Sequence, residues 1–192
     1  MRIGITLTSS LHVGEEYIQL TKNVSEALAK AQHGIVYGGT DYGMMSELAK
    51  AYKNADGNDL VGVMAKDLMQ VTKGYKAYSG LDEQFLMDTM EDRKRQIVEL
   101  SDGFIILPGG WGTMEEIGTI VGGKANKLYD KPIVLFNFAG FYDRFIDFLN
   151  QMTEKEFSKV SIESIVHIDD NINSILTYLE TYKEIDVPDK FV

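Results

Sequence analysis

Short runs of apolar, mostly β-branched residues alternate along the chain with longer stretches in which apolar positions recur every three or four residues. The first pattern suits strands buried on both faces, the second amphipathic helices, and their alternation predicts parallel strands joined by helical crossovers. The expected strands are Arg2–Leu7, Ile35–Tyr37, Leu60–Met64, Gly103–Leu107, Ile133–Phe136 and Ile165–Ile168, with helices over 13–32, 42–54, 82–101, 113–126, 140–153 and 170–182. The fold class is therefore α/β: a Rossmann-like, doubly wound, mostly parallel sheet with helices on both faces. Segment 65–80, of mixed polarity, reads as a loop or lid. Residues 1–192 are expected to form a single domain, with about 183–192 as a surface tail.

Such sheets take ligands at the carboxyl ends of their strands, where strand order reverses. Three loops at those ends stand out: TSS (8–10), YGGTDYGMM (37–45) and LPGGWGT (107–113). Glycine after a strand lets backbone approach a ligand, and the following helix start offers free N–H groups and a positive dipole end, the makings of a phosphate cradle. The plainer reading is a turn that needs turn residues. Neither glycine loop is a G-x-G-x-x-G fingerprint or a Walker loop, so a phosphate site here would belong to another class.

Leu86, Met90, Ile97 and Leu100 share one stripe of the helix expected over 82–101, and Arg93 lies in the middle of that stripe. A core-facing arginine needs an anion, either a structural carboxylate or a ligand's phosphate or carboxylate. Lys94 and Arg95 turn away from the stripe's centre and read as solvated charges, with Glu91 and Asp92 available as local partners. In the helix after the glycine loop, Met114, Ile117, Ile120 and Val121 form the apolar face. Glu116 borders that face and Glu115 points away from it, so Glu116 is the better placed for chemistry. For either glutamate the alternative is simple favour with the helix dipole.

Composition narrows the partners. Nineteen basic against 29 acidic residues give a net charge of −10, which disfavours nucleic-acid polymers and anionic membranes and confines any anion to a local pocket. With 44% apolar and 25% charged residues the chain has an ordinary globular balance, and no apolar run is long enough to span a bilayer. The opening segment is not a signal peptide, and a cytoplasmic location is expected. No cysteine is present, which removes thiolate nucleophiles and Cys-ligated metals. His12, His33 and His167 have no metal-site spacing, so no metal is expected. Asp169 and Asp170 read as helix caps, and Trp111 as a cover for the glycine loop or a platform for a base.

MEDRK (90–94) and LPGGWGTMEE (107–116) resemble the paired M-x-x-R-K and P-G-G-x-G-T-x-x-E motifs of the Lonely Guy family, the cytokinin-activating nucleoside 5′-monophosphate phosphoribohydrolases once labelled lysine decarboxylases. VYGGTDYGMMSELAKA and DKPIVLFNFAGFYD resemble two further segments of that family, and the likeness covers roughly residues 2–150. The resemblance implies a homodimer that hydrolyses the N-glycosidic bond of a nucleoside monophosphate, releasing free base and ribose 5-phosphate without a cofactor. It assigns Arg93 and Glu116 as the catalytic pair. Gly109, Gly110, Gly112 and Thr113 would hold the 5′-phosphate, and Lys94, Glu115, Trp111, Gly38 and Gly39 complete the substrate-binding set. Asp67 stands where the family has a substrate-contacting glutamate. Departures occur at Thr40, Ser46 and Gly122–Gly123.

Two rival functions follow from the same residues. A non-catalytic nucleotide-binding or sensing module would bind nucleotide without releasing base, but has no need of a carboxylate at position 116. A decarboxylase would need pyridoxal phosphate on a lysine, and Lys66, Lys73, Lys124 and Lys127 all read as surface charges.

Overall fold

In a computed structural model, in which residues 1–187 are described, the chain builds one seven-stranded sheet. The strands are β1 (Arg2–Thr6), β2 (Gly34–Tyr37), β3 (Leu60–Ala65), β4 (Glu83–Met87), β5 (Gly103–Ile106), β6 (Ile133–Phe136) and β7 (His167–Asp169), in the order β4-β3-β2-β1-β5-β6-β7. Every pairing in the sheet is parallel. Among the described residues the α-helices are α1 (Glu15–Lys30), α2 (Gly43–Asn54), α3 (Lys66–Val71), α4 (Met90–Leu100), α5 (Trp111–Ala125), α6 (Asp143–Glu154), α7 (Ile162–Ile165) and α8 (Ile172–Thr181). The expected doubly wound α/β fold is what the chain adopts.

Side-chain alternation along the central strands explains the two layers of helices. Ile105 of β5 and Leu107 just after it join Ile3, Ile5 and Ile35 beneath α1, α2 and α8. Phe104 and Ile106 point the other way, packing with Ile133 and Leu135 against Ile117 and Ile120 of α5 and Ile162 and Ile165 of α7. Val36, Val61 and Val63 continue that second face under Ile97 of α4. Strands β2, β3, β5 and β6 are buried at every position, which is why they read as unbroken apolar runs.

The corrections lie at the sheet edges and in short elements. Residues 83–87, expected as the first turns of a long helix, form the edge strand β4, so Leu86 is 45% exposed and not part of the α4 stripe. The lid segment 65–80 contains α3, and an isolated antiparallel bridge from Ala77 to Thr40 straps its later half to the loop after β2. Ile162–Ile165 is a helical turn, leaving β7 to begin at His167. Helix α5 starts at Trp111, two residues earlier than expected. In the expected tail, Ile185 packs on the second core and Val187 is buried within it. The remainder of that segment, 188–192, lies outside the described residues.

Candidate active site

Chain order runs from β1 outward to β4, then crosses back to β5 on the other side of β1, so strand order reverses between β1 and β5. A cleft of about 560 Å³ opens at the carboxyl ends of these strands. One wall is the start of α5, from Gly110 to Thr113 with Glu115 and Glu116. The end of α3 and the turn after it, Leu68 and Thr72–Tyr75, also line the cleft. Thr8 and Ser9 after β1, Thr40, Tyr42 and Met45 after β2, and Met90 and Arg93 of α4 complete the lining.

Arg93 is 4% exposed. Its Nε donates to the Val63 carbonyl at 2.8 Å and its Nη1 to Glu116 Oε1 at 3.2 Å. The sheet thus orients the guanidinium, which in turn orients the carboxylate. Glu116 has a second partner, the Thr6 hydroxyl, which donates to Oε2. The anion that the core-facing arginine required is therefore a carboxylate of this chain. Gly38 makes room for it: a Cβ there would lie 2.6 Å from Arg93 Nη2. Tyr75 stands on the cleft wall with its hydroxyl 3.5 Å from the Gly38 carbonyl. Burial raises its pKa, the Arg93 charge pulls it down, and Glu116 and Asp67 push it further up, so the phenol stays protonated at neutral pH.

The start of α5 offers the features of an anion site. No side chain caps it, and its first i to i−4 backbone bond runs from the Met114 amide to the Gly110 carbonyl, so the three preceding amides have no intrahelical partner. Thr113 is 2% exposed, and its hydroxyl has no hydrogen-bond partner among the described residues. A buried hydroxyl without a partner costs about 1–3 kcal/mol, and a ligand oxygen would remove that cost. Gly109 lies beneath this threonine, where a Cβ would come within 2.0 Å of its Oγ1.

Of the residues singled out in the sequence, the structure thus gathers Arg93, Glu116, Gly110, Trp111, Gly112, Thr113 and Glu115 at one cleft. Gly38, Gly39 and Gly109 stand behind its lining as spacers; Gly39 packs directly on Gly62 of β3. Lys94 is not a solvated charge. It is 8% exposed and bridges Glu115, at 2.8 Å, and Glu91, so it positions the α5 wall from behind the cleft. Their hydrogen bonds raise its pKa. Asp67 does not line the cleft: its oxygens accept from the Leu68 and Met90 amides at 2.6 and 2.9 Å, tying α3 to α4. Trp111 does not bury itself over the loop as a cover: among the described residues it is left 91% exposed. Lys124, expected on the surface, is fully buried, and Gly122–Gly123 fall near the far end of α5. Asp169 accepts from the Asp170 and Asn171 amides, but the cap of α8 is Asn171.

Thr6 and the Thr72–Tyr75 wall were missed by sequence reasoning. A signal existed for Thr6, a hydroxyl directly after the apolar run 3–5 of β1, at the point where strand order reverses. Nothing local marks Tyr75, whose role comes from a chain fold that brings residue 75 over residue 38. No group of three or more metal-ligating side chains occurs among the described residues.

The chain is similar to several known proteins. A protein of Oryza sativa subsp. japonica named a probable cytokinin riboside 5′-monophosphate phosphoribohydrolase is 30% identical over 183 residues, 94% of this chain and 71% of that protein. A protein of Rhodococcoides fascians named cytokinin riboside 5′-monophosphate phosphoribohydrolase is 30% identical over 168 residues, 88% of this chain and 83% of its own. Among solved structures, the molybdenum cofactor carrier protein of Chlamydomonas reinhardtii superposes with a TM-score of 0.68 at 17% identity, covering 93% of this chain and 95% of that one, a likeness of fold alone. The family model described as "possible lysine decarboxylase" matches residues 44–179. With most of its length matched, and the paired arginine and glycine-loop motifs meeting in one cleft, the chain belongs to this family, the Lonely Guy family.

Proposed function

We propose that the protein hydrolyses the N-glycosidic bond of a nucleoside 5′-monophosphate of the AMP type, releasing an adenine-type base and ribose 5-phosphate. The observation that carries this reading is the Arg93–Glu116 pair, held at 3.2 Å on the cleft wall beside the uncapped start of α5. The 5′-phosphate takes the free amides of that helix start and the Thr113 hydroxyl, and so fixes the ribose. As the bond from C1′ to the base nitrogen lengthens, the base leaves with the bonding electrons and takes up a proton from solvent water, and positive charge builds on the ribosyl ring. Glu116 stabilises that charge and accepts a proton from the attacking water, whose oxygen bonds to C1′. Arg93 keeps the carboxylate in place and balances charge at the leaving base. No cofactor enters this sequence. A homodimer and a cytoplasmic location belong to the same reading: Trp111 and Gly118 leave one face of α5 open for a second copy, and a phosphate ester does not cross membranes unaided.

The test is release of free base from AMP, GMP, CMP, UMP, IMP and isopentenyl-AMP. Glu116→Gln should lower kcat by about 10²–10⁴-fold while AMP still binds, the binding showing that the variant is folded. Full activity in that variant would refute the assigned role. Nucleotide binding by the unaltered protein with no base released from any of the six would favour a binding module instead.

A further inference from the structure

Four charged side chains line the cleft: Lys73, Arg93, Glu115 and Glu116. Arg93 faces Glu116 at 3.2 Å, and Glu115 faces Lys94 at 2.8 Å from behind the wall. Lys73 is the one left over. It has no hydrogen bond or ion pair among the described residues, whereas its neighbours Lys66 and Lys76 are held by Asp88 and Asp41. Its position is fixed by the chain on both sides. Thr72 caps α3 through a backbone bond to the Leu68 carbonyl at 3.0 Å, and from Lys76 onward the chain is strapped to the loop after β2, the Asp41 amide donating to the Lys76 carbonyl at 2.9 Å. Between these anchors Gly74 takes a φ of +80°, which turns the chain where it lines the cleft.

We infer that Lys73 is a specificity residue for the substrate's phosphate, the unpaired cation of the cleft that the start of α5 also lines. The inference rests on the proposed nucleoside monophosphate reading. A phosphate monoester brings a charge of about −1.5 to −2 into a cleft whose other cation already faces a carboxylate, in a chain whose net charge is −10. The amides at the start of α5 and the unpartnered Thr113 hydroxyl supply hydrogen bonds but no full charge. Lys73 supplies that charge, and its flexible stem on a turn lets it follow the phosphate in and out. The ammonium distinguishes a nucleotide from the corresponding nucleoside, which the neutral donors alone do less sharply.

Equilibrium binding of AMP and of adenosine to the full chain, unaltered and as Lys73→Gln and Lys73→Arg, tests this. The expected outcome is that Lys73→Gln weakens AMP about tenfold, leaves adenosine within twofold, and flattens the salt dependence of AMP binding, while Lys73→Arg retains most of the affinity. AMP bound equally by the unaltered protein and Lys73→Gln would overturn the role of Lys73 and leave the phosphoribohydrolase reading standing. An unaltered protein that shows no preference for AMP over adenosine would overturn both.

Discussion

At the scale of single residues, the cleft is organised around one carboxylate with two different holders. Arg93 approaches Glu116 from the β3 side and Thr6 from the end of β1, one on each oxygen. Two-point attachment fixes the plane of the carboxylate, which a single ion pair would leave free to rotate. Thr6 touches Glu116 and does not line the cleft, so it is a positioning residue. Thr6→Val is expected to lower kcat about tenfold, a loss of about 1.4 kcal/mol in the transition state, with KM nearly unchanged and Thr6→Ser restoring most of the rate. Steady-state kinetics of base release decide it: a change confined to KM or to thermal stability would remove Thr6 from the mechanism. Arg93 and Glu116 were legible in the sequence because each sits at a wheel position inconsistent with its charge or bordering an apolar face. Lys94 was not, because the carboxylate that buries it comes from α5, 21 residues further on.

The central strands were legible as elements because burial on both faces forces an unbroken apolar run, and periodicity alone finds such runs. Strand β4 was not. It pairs only with β3 and carries exposed Glu83, Gln84 and Leu86, so its sequence lacks the double-faced signature and merges with the helix that follows. The true start of α4 is set by two side chains: Thr89 accepts from the Asp92 amide at 3.1 Å, and Asp67 accepts from the Met90 amide at 2.9 Å. Asp67 thereby carries the end of β3 into register with the helix that holds Arg93. This assigns Asp67 a structural role where the family resemblance implied contact with substrate. Asp67→Ala should cost about 1 kcal/mol of stability through the lost cap and leave discrimination among nucleotide bases as it was. Urea unfolding combined with base release across several monophosphates separates the two roles, since a substrate contact would shift base preference with little change in the unfolding midpoint.

Across the whole molecule, the half of the sheet beyond β5 is closed by an ionic cluster around a buried lysine that no local pattern marks. Lys124 of α5 is completely buried; its Nζ donates to the Lys131 carbonyl at 2.8 Å and the Tyr182 hydroxyl at 2.7 Å, and lies 3.3 Å from Asp130. Asp130 also accepts from the Tyr182 hydroxyl and, at 2.7 Å, from the Ile185 amide, so it ties the segment after α8 to the start of β6. Burial pushes the Asp130 carboxyl up, but the hydrogen bonds from Tyr182, Ile185 and Lys124 outweigh it and hold the pKa below the ordinary value of 3.8. A carboxyl depressed in the folded state contributes stability that is present above its unfolded pKa and is lost as pH falls through the folded one. Asp82 and Asp169, also depressed, act with the same sign. Lys124 differs: burial lowers its pKa, so the unfolded chain holds the proton more firmly and this group's contribution grows as pH rises toward 10.5. The chemical-denaturation midpoint should therefore fall as pH drops below the ordinary carboxylate range. Asp130→Asn should lose about 3–5 kcal/mol at neutral pH by leaving Lys124 buried without its counter-ion, and its decline in acid should be shallower. Replacing both members, as Lys124→Met with Asp130→Asn, removes the stranded charge and should recover part of that loss. If the double variant is no more stable than Asp130→Asn alone, the cluster acts through its neutral hydrogen bonds to Tyr182 and Ile185, and charge burial is not what makes Asp130 necessary.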